Sequence, residues 1–182
     1  EMCIRDRLIS WRSKMDTYKI DWKDVVHGSF EIEASSSSEA LEKFKSLTKD
    51  ELYDRYLPPY QDAIDNGVLT VMASFNSFNG EKCHASKYLL TDLLKDELGF
   101  KGFVVSDWAA IENIPGDYKS DIIISINAGI DMVMVPGAVR DGKESYQNFL
   151  KLFEESVVDG SIPMDRVDDA VRRILLIKKQ SG

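Results

Sequence analysis

Three short apolar runs constrain what this chain can fold into. They are LTVMASF (69–75), FVV (Phe103–Val105) and DMVMV (131–135). None keeps a strict alternation of apolar and polar residues, so each reads as a strand buried on both faces. The segments between them carry apolar residues at helical spacing. Thr48-x-x-Glu51 is a capping box, which starts a helix by two reciprocal side-chain bonds. That helix carries Leu52, Tyr53, Tyr56, Tyr60, Ala63 and Ile64 and ends at Asn66-Gly67. A kink or break is expected at Pro58-Pro59, because proline lacks an N–H and crowds the preceding turn. Asn79-Gly80 reads as a turn. Ser86 caps a helix carrying Tyr88, Leu89, Leu93, Leu94 and Leu98, closed by Gly99.

A further helix is read over Tyr118–Ala128, ending at Gly129, and another near 143–158, closed by Gly160. Pro136-Gly137 stops the third strand. The last helix opens at Pro163 and puts Val167, Ala170, Val171, Ile174 and Leu175 on one face. Arg172, Arg173, Lys178 and Lys179 lie toward its C-terminal end, where the helix dipole favours cations. Buried strands alternating with amphipathic helices imply a parallel sheet with covered faces, an α/β fold. A complete (β/α)8 barrel takes about 250 residues. A chain of 182 residues with three clear strands is either a small open sheet or part of a barrel.

The N-terminal part carries weaker signals. TYKIDWKDVVHGSFEIE (17–33) reads as one or two short strands or loops. The run Ala34 to Ser38 reads as a surface loop that caps a helix beginning near Glu39. EMCIRDR (1–7) resembles a translated sequencing-adapter sequence and is expected to be a non-native tail. Segment 8–45 stands apart from the α/β pattern of 46–182.

Composition excludes several functions. A net charge of −8 repels phosphate backbones, so no nucleic-acid partner is expected. No apolar run approaches the ~20 residues of a membrane span. Cys3 and Cys83 form neither a disulfide framework nor a metal-ligand spacing. The only histidines are His27 and His84. No metal or other cofactor is expected.

The chemistry concentrates at one strand end. Phe103–Val105 runs into Ser106, Asp107 and Trp108. Ligands bind beyond the carboxyl ends of strands in barrels and open α/β sheets. A carboxylate there beside a large aromatic ring fits a sugar site. It also fits a helix N-cap for Ala109 onward, with Trp108 in the core.

From about Leu52 to Lys179 the chain resembles glycoside hydrolase family 3, the β-glucosidase and exo-β-glucanase group. The matching motifs are LPPYQDAIDNG (57–67), TVMASFNSFNG (70–80), KCHASKYLLTDLLKDELGFKGFVVSDW (82–108), INAGIDMVMVP (126–136) and GSIPMDRVDDAVRRIL (160–175). The resemblance implies a partial (β/α)8 TIM-like barrel, the C-terminal part of the family's N-terminal domain. The other strands and a second α/β domain would belong to the parent chain.

By the same resemblance Asp107 is the catalytic nucleophile, a carboxylate that attacks the anomeric carbon. Trp108 is a substrate-pocket residue whose indole packs on a pyranose. Met72 and Phe75, on the preceding strand, are substrate-binding or core residues. Phe75 stands where tyrosine is common. His84 is expected in a loop at the pocket rim. Asn113 stands where some relatives have a pocket arginine. Asp131 is expected to be structural, and Asp168 and Asp169 to lie on a solvated helix face. Glu112 matches no acid/base context, and the acid/base glutamate would lie in the second domain.

The implied substrate is a β-glucoside or β-glucan oligosaccharide, and the implied location periplasmic or secreted. Two other readings stand beside this one. The first is a family 3 β-N-acetylhexosaminidase, whose nucleophile motif more often reads SDD or SDA than SDW. The second is a truncated, non-catalytic fragment with open, aggregation-prone strand edges.

Overall fold

The computed structural model describes residues 16–23, 27–40, 42–43, 52–136 and 146–181. The adapter-like residues 1–7, the capping box at Thr48 and Glu51, and the start of the helix read near 143 lie outside the described residues. The chain divides into two units, 1–62 with 76–80 and 63–75 with 81–182.

In the first unit, β1 (Asp16–Lys23) pairs antiparallel with β2 (His27–Ala34), in register from Asp16 opposite Ala34 to Lys23 opposite His27. A turn of helix over 37–40 (α1) follows, two residues earlier than the sequence suggests. Its cap is the serine run: Glu39 N–H donates to Ser36 Oγ at 3.2 Å, and Ser35 N–H to the Glu39 carboxylate at 2.9 Å. Leu52–Tyr56 winds as a π-helix and passes directly into α2 (Leu57–Asp65). Pro58 and Pro59 fall in the first turn of α2, immediately after the π-helical segment, and neither has an N–H to donate back into it. The change of winding takes the place of the expected break. Gly67 closes α2 at φ 81°, its N–H donating to Ile64 O at 2.9 Å.

In the second unit, β3 (Thr70–Met72) is shorter than the apolar run that contains it. The short strand β4 (Ser77–Phe78) and the Asn79-Gly80 turn after it belong to the first unit, and β5 (Glu81–Lys82) to the second. Both turn residues take positive φ, 50° and 81°, as a tight two-residue turn of this hand requires. Tyr88–Glu97 is a π-helix, with Leu98 N–H reaching back five residues to Leu93 O. Gly99 ends it at φ 73°. β6 (Phe103–Val105) pairs parallel with β3, Thr70 opposite Phe103 and Met72 opposite Val105.

The third run departs most from its sequence reading. Of 131–135, only Met132 pairs with β6, by one parallel bridge to Val105. Side chains take two of the donors that a ladder would use. Val104 N–H donates to Asp131 Oδ2 and Met134 N–H to Ser106 Oγ, each at 2.8 Å. Apolar composition alone does not register that competition.

Helix α3 (Tyr118–Ala128) has Asp117 as N-cap, its Oδ1 accepting Ser120 N–H at 2.9 Å, and Gly129 as C-cap. After it come α4 (Tyr146–Val158) and α5 (Met164–Ser181). One core cluster gathers Ala73, Leu90, Leu94, Phe100, Val104, Ala128 and Ile130 around β6. A second joins Ile111, Ile114, Ile122, Ile126 and Ile162, with Phe149 and Phe153 of α4 stacked at 5.9 Å. The inward face of α5 is rotated from the one read in the sequence: Val171 and Leu175 are exposed, and Ile177 is buried.

A buried ionic cluster ties these elements together. Lys95 Nζ donates to Asp131 Oδ1 at 2.8 Å and to Gly129 O at 2.7 Å. Arg166 also pairs with Asp131 Oδ1. Asp131 is structural, as expected. Asp168 is exposed, but Asp169 is not on a solvated face. Its carboxylate receives Arg166 at 2.6 Å and Arg173 at 3.1 Å. Arg173 in turn donates to Phe100 O and Gly102 O, so it clamps the entry to β6 rather than merely facing a dipole.

Candidate active site

The end of β6 is held by main-chain and hydroxyl bonds. Ser106 is fully buried; its N–H donates to Met132 O at 2.9 Å and its Oγ–H to Asp107 O at 2.9 Å. Ala109 then turns the chain with φ 54°, a left-handed conformation that a non-glycine residue rarely takes. Ala110 N–H donates to Asp107 O at 3.3 Å, and Asn113 Nδ2 braces the turn through Ala109 O at 3.1 Å.

Asp107 does not cap a helix. Its Oδ1 accepts the immediately following N–H, that of Trp108, at 2.6 Å. A capping carboxylate takes an N–H two or three residues on. The helical segment that follows is the single turn Ile111–Asn113, preceded by Ala110 and without a side-chain cap.

The expected site residues fall at the carboxyl ends of β3 and β6. Met72 is the last residue of β3, opposite Val105, and is 53% exposed. Phe75, three residues on, is 43% exposed, and Trp108 is 60% exposed. None of the three is a core side chain. Exposed apolar and aromatic surface beside a carboxylate suits the apolar face of a sugar ring.

His84 sits beneath the rim, not on it. It lies on the short turn Cys83–Ala85 and is 1% exposed. Its Nε2 accepts the main-chain N–H of Asp107 at 3.0 Å. Burial lowers its pKa, the Asp107 charge pulling the other way and a main-chain bond to Ser74 opposing it as well. The ring is therefore neutral at physiological pH. Ser106, Ser74 and Ala109 complete this frame, and sequence reading missed all three. The small residue before the aspartate of SDW was the one available signal. Among the described residues, no group of His, Cys, Asp and Glu side chains is arranged to hold a metal ion. No described helix is long and apolar enough to cross a membrane.

Parallel strands flanked by helices, with a carboxylate and an exposed indole at their carboxyl ends, define the chain as an α/β protein. The sequence profile described as "Glycosyl hydrolase family 3 N terminal domain" matches residues 31–177. The chain belongs to glycosyl hydrolase family 3.

Its relatives include a beta-glucosidase of Wickerhamomyces anomalus, 36% identical over 85% of this chain and 16% of that protein. A periplasmic beta-glucosidase of Salmonella typhimurium is 33% identical over 75% of this chain and 17% of that protein. The crystal structure of an exo-1,3/1,4-beta-glucanase from a Pseudoalteromonas species is 43% identical, with a TM-score of 0.65 over 73% of this chain and 16% of that one. The chain thus spans about a sixth of the length of these relatives.

Proposed function

We propose that this chain is the nucleophile-bearing part of a retaining β-glycosidase that removes terminal β-D-glucosyl residues from glucosides or β-glucan oligosaccharides. The observation that carries it is Asp107, held at the end of β6 with its carboxylate bonded locally to Trp108 N–H, next to an exposed indole. In this reading Asp107 attacks the anomeric carbon, the aglycone leaves, and a covalent glycosyl-enzyme forms. A second carboxyl, roughly 5 Å away, protonates the leaving oxygen and then activates water. We place that group outside this chain, in the remainder of a longer parent protein. Residues 46–182 are then the C-terminal part of a (β/α)8 barrel domain, and the isolated chain is inactive. Trp108, Met72 and Phe75 line the sugar subsite.

The test uses the full-length parent protein and its Asp107→Ala form on an aryl β-glucoside and an aryl N-acetyl-β-glucosaminide. Glucoside hydrolysis that disappears in Asp107→Ala supports the reading. Hydrolysis of the N-acetyl substrate alone reassigns the substrate. Unchanged glucoside hydrolysis in Asp107→Ala removes Asp107 as nucleophile.

A further inference from the structure

The pairing of β3 with β6 ends in an unusual way. Ala73 N–H donates to Val105 O at 2.9 Å. The next donor on the β6 side is Asp107 N–H, and an imidazole takes it in place of a backbone carbonyl. The ring also has a main-chain bond to Ser74, just past β3. His84 thus bridges the two strand ends from a turn of its own. A neutral ring that accepts at Nε2 carries its proton on Nδ1.

The carboxylate of Asp107 depends on this bond. Its Oδ1 is tied to Trp108 N–H, so its direction follows the main chain at 107 and 108. That main chain has two anchors on its carbonyl, Ser106 Oγ–H and Ala110 N–H, and one on its N–H, His84. We propose that His84 is a positioning residue, which as a neutral ring accepting Asp107 N–H fixes the angle at which the Asp107 carboxylate meets the sugar. This rests on the reading of Asp107 as nucleophile. A ring 1% exposed offers no face to a substrate, so the role differs from a sugar contact. The charged groups acting on the ring are Asp107 and Lys82. Protonation would set N–H against N–H and release the anchor.

The experiment compares His84→Leu, which fills the space without an acceptor, with His84→Gln, whose amide oxygen can take Asp107 N–H. Both are made in the full-length protein and assayed on an aryl β-glucoside. Leucine is expected to lower kcat about 100-fold, the scale of a small displacement of a reacting group, with KM nearly unchanged. Glutamine is expected to recover much of that loss. A raised KM with unchanged kcat would make His84 a substrate contact and overturn the proposal. So would equal kcat in all three proteins. If the leucine form does not fold, the ring-nitrogen NMR signals of His84 in the wild type decide. An unprotonated Nε2 coupled to Asp107 N–H is expected, and a proton on Nε2 refutes it. If the wild type turns over no glycoside, the proposed function falls, while the NMR result still decides the hydrogen bond.

Discussion

Replacing Asp131 by alanine tests the energetics of the fold most directly. Its side chain is fully buried and makes three bonds: Oδ1 with Lys95 and Arg166, Oδ2 with Val104 N–H. Truncation leaves the buried Lys95 and the partly buried Arg166 without their shared counter-charge. Breaking a buried pair by removing one partner costs about 3–5 kcal/mol. Val104 N–H, on a fully buried residue, also loses its acceptor, a further cost of about 1–3 kcal/mol. Two effects limit the total. Burial already lowers the Lys95 pKa to about 8, so its ammonium can shed its proton when the counter-charge goes. Arg166 cannot do so, but it keeps Asp169.

A net loss of about 4 kcal/mol is therefore expected, a large share of the 5–15 kcal/mol that holds a typical domain. Asp131→Asn, which keeps an acceptor for Val104 N–H, should lose less. Asp131→Ala combined with Lys95→Met should also lose less than Asp131→Ala alone, because one stranded cation is gone. The assay is urea titration of the full-length protein read by hydrogen exchange in peptides over 95–135, since a multidomain chain does not unfold in two states. Wild-type protection in Asp131→Ala, or strict additivity in the double variant, would refute the reasoning.

Two other perturbations have clear signs. A Cβ at Gly102 would lie 2.1 Å from Leu69 O and 2.6 Å from the Phe100 ring, so Gly102→Ala must push β3 away from β6. A loss of about 1–3 kcal/mol is expected, with faster exchange at Val71 and Val104; unchanged exchange there would count against the close approach. Burial, with Asp117 adding to it, raises the Asp121 carboxyl from 3.8 to about 6. The stability this contributes is complete below pH 3.8 and is lost as pH rises through about 6. Asp121→Asn should therefore be more stable than wild type at pH 7.5, with the gap closing toward pH 4. Equal thermal inactivation at pH 7.5 would contradict it.

Local patterns were legible in the sequence, and long-range pairings were not. The caps at Gly67, Gly99 and Gly129 and the Asn79-Gly80 turn depend on backbone conformations that only certain residues reach easily, so they read correctly. Asp107 and Trp108 stood out because polar and aromatic residues interrupt an apolar run. The bond from His84 to Asp107 spans 23 residues, and that from Arg166 to Asp131 spans 35. No periodicity encodes either. Asp169 looked like a solvated charge because its helix surface is otherwise polar, yet Arg166 and Arg173, on the same helix, turn it inward. The third strand is shorter than its apolar run because the Asp131 side chain, and not a strand carbonyl, accepts Val104 N–H.

The parallel register of β3 and β6 also sets an order of events during synthesis. Each residue of β3 meets a partner 33 positions further along the chain. At roughly 5–20 residues per second, a ribosome takes about 2–7 s to deliver Phe103 after Thr70. Helical turns form within about a microsecond. The Tyr88–Glu97 helix can therefore wind completely as it emerges, while Thr70–Met72 still waits for its neighbour. During synthesis this helix therefore has time to form before the strand pair can close.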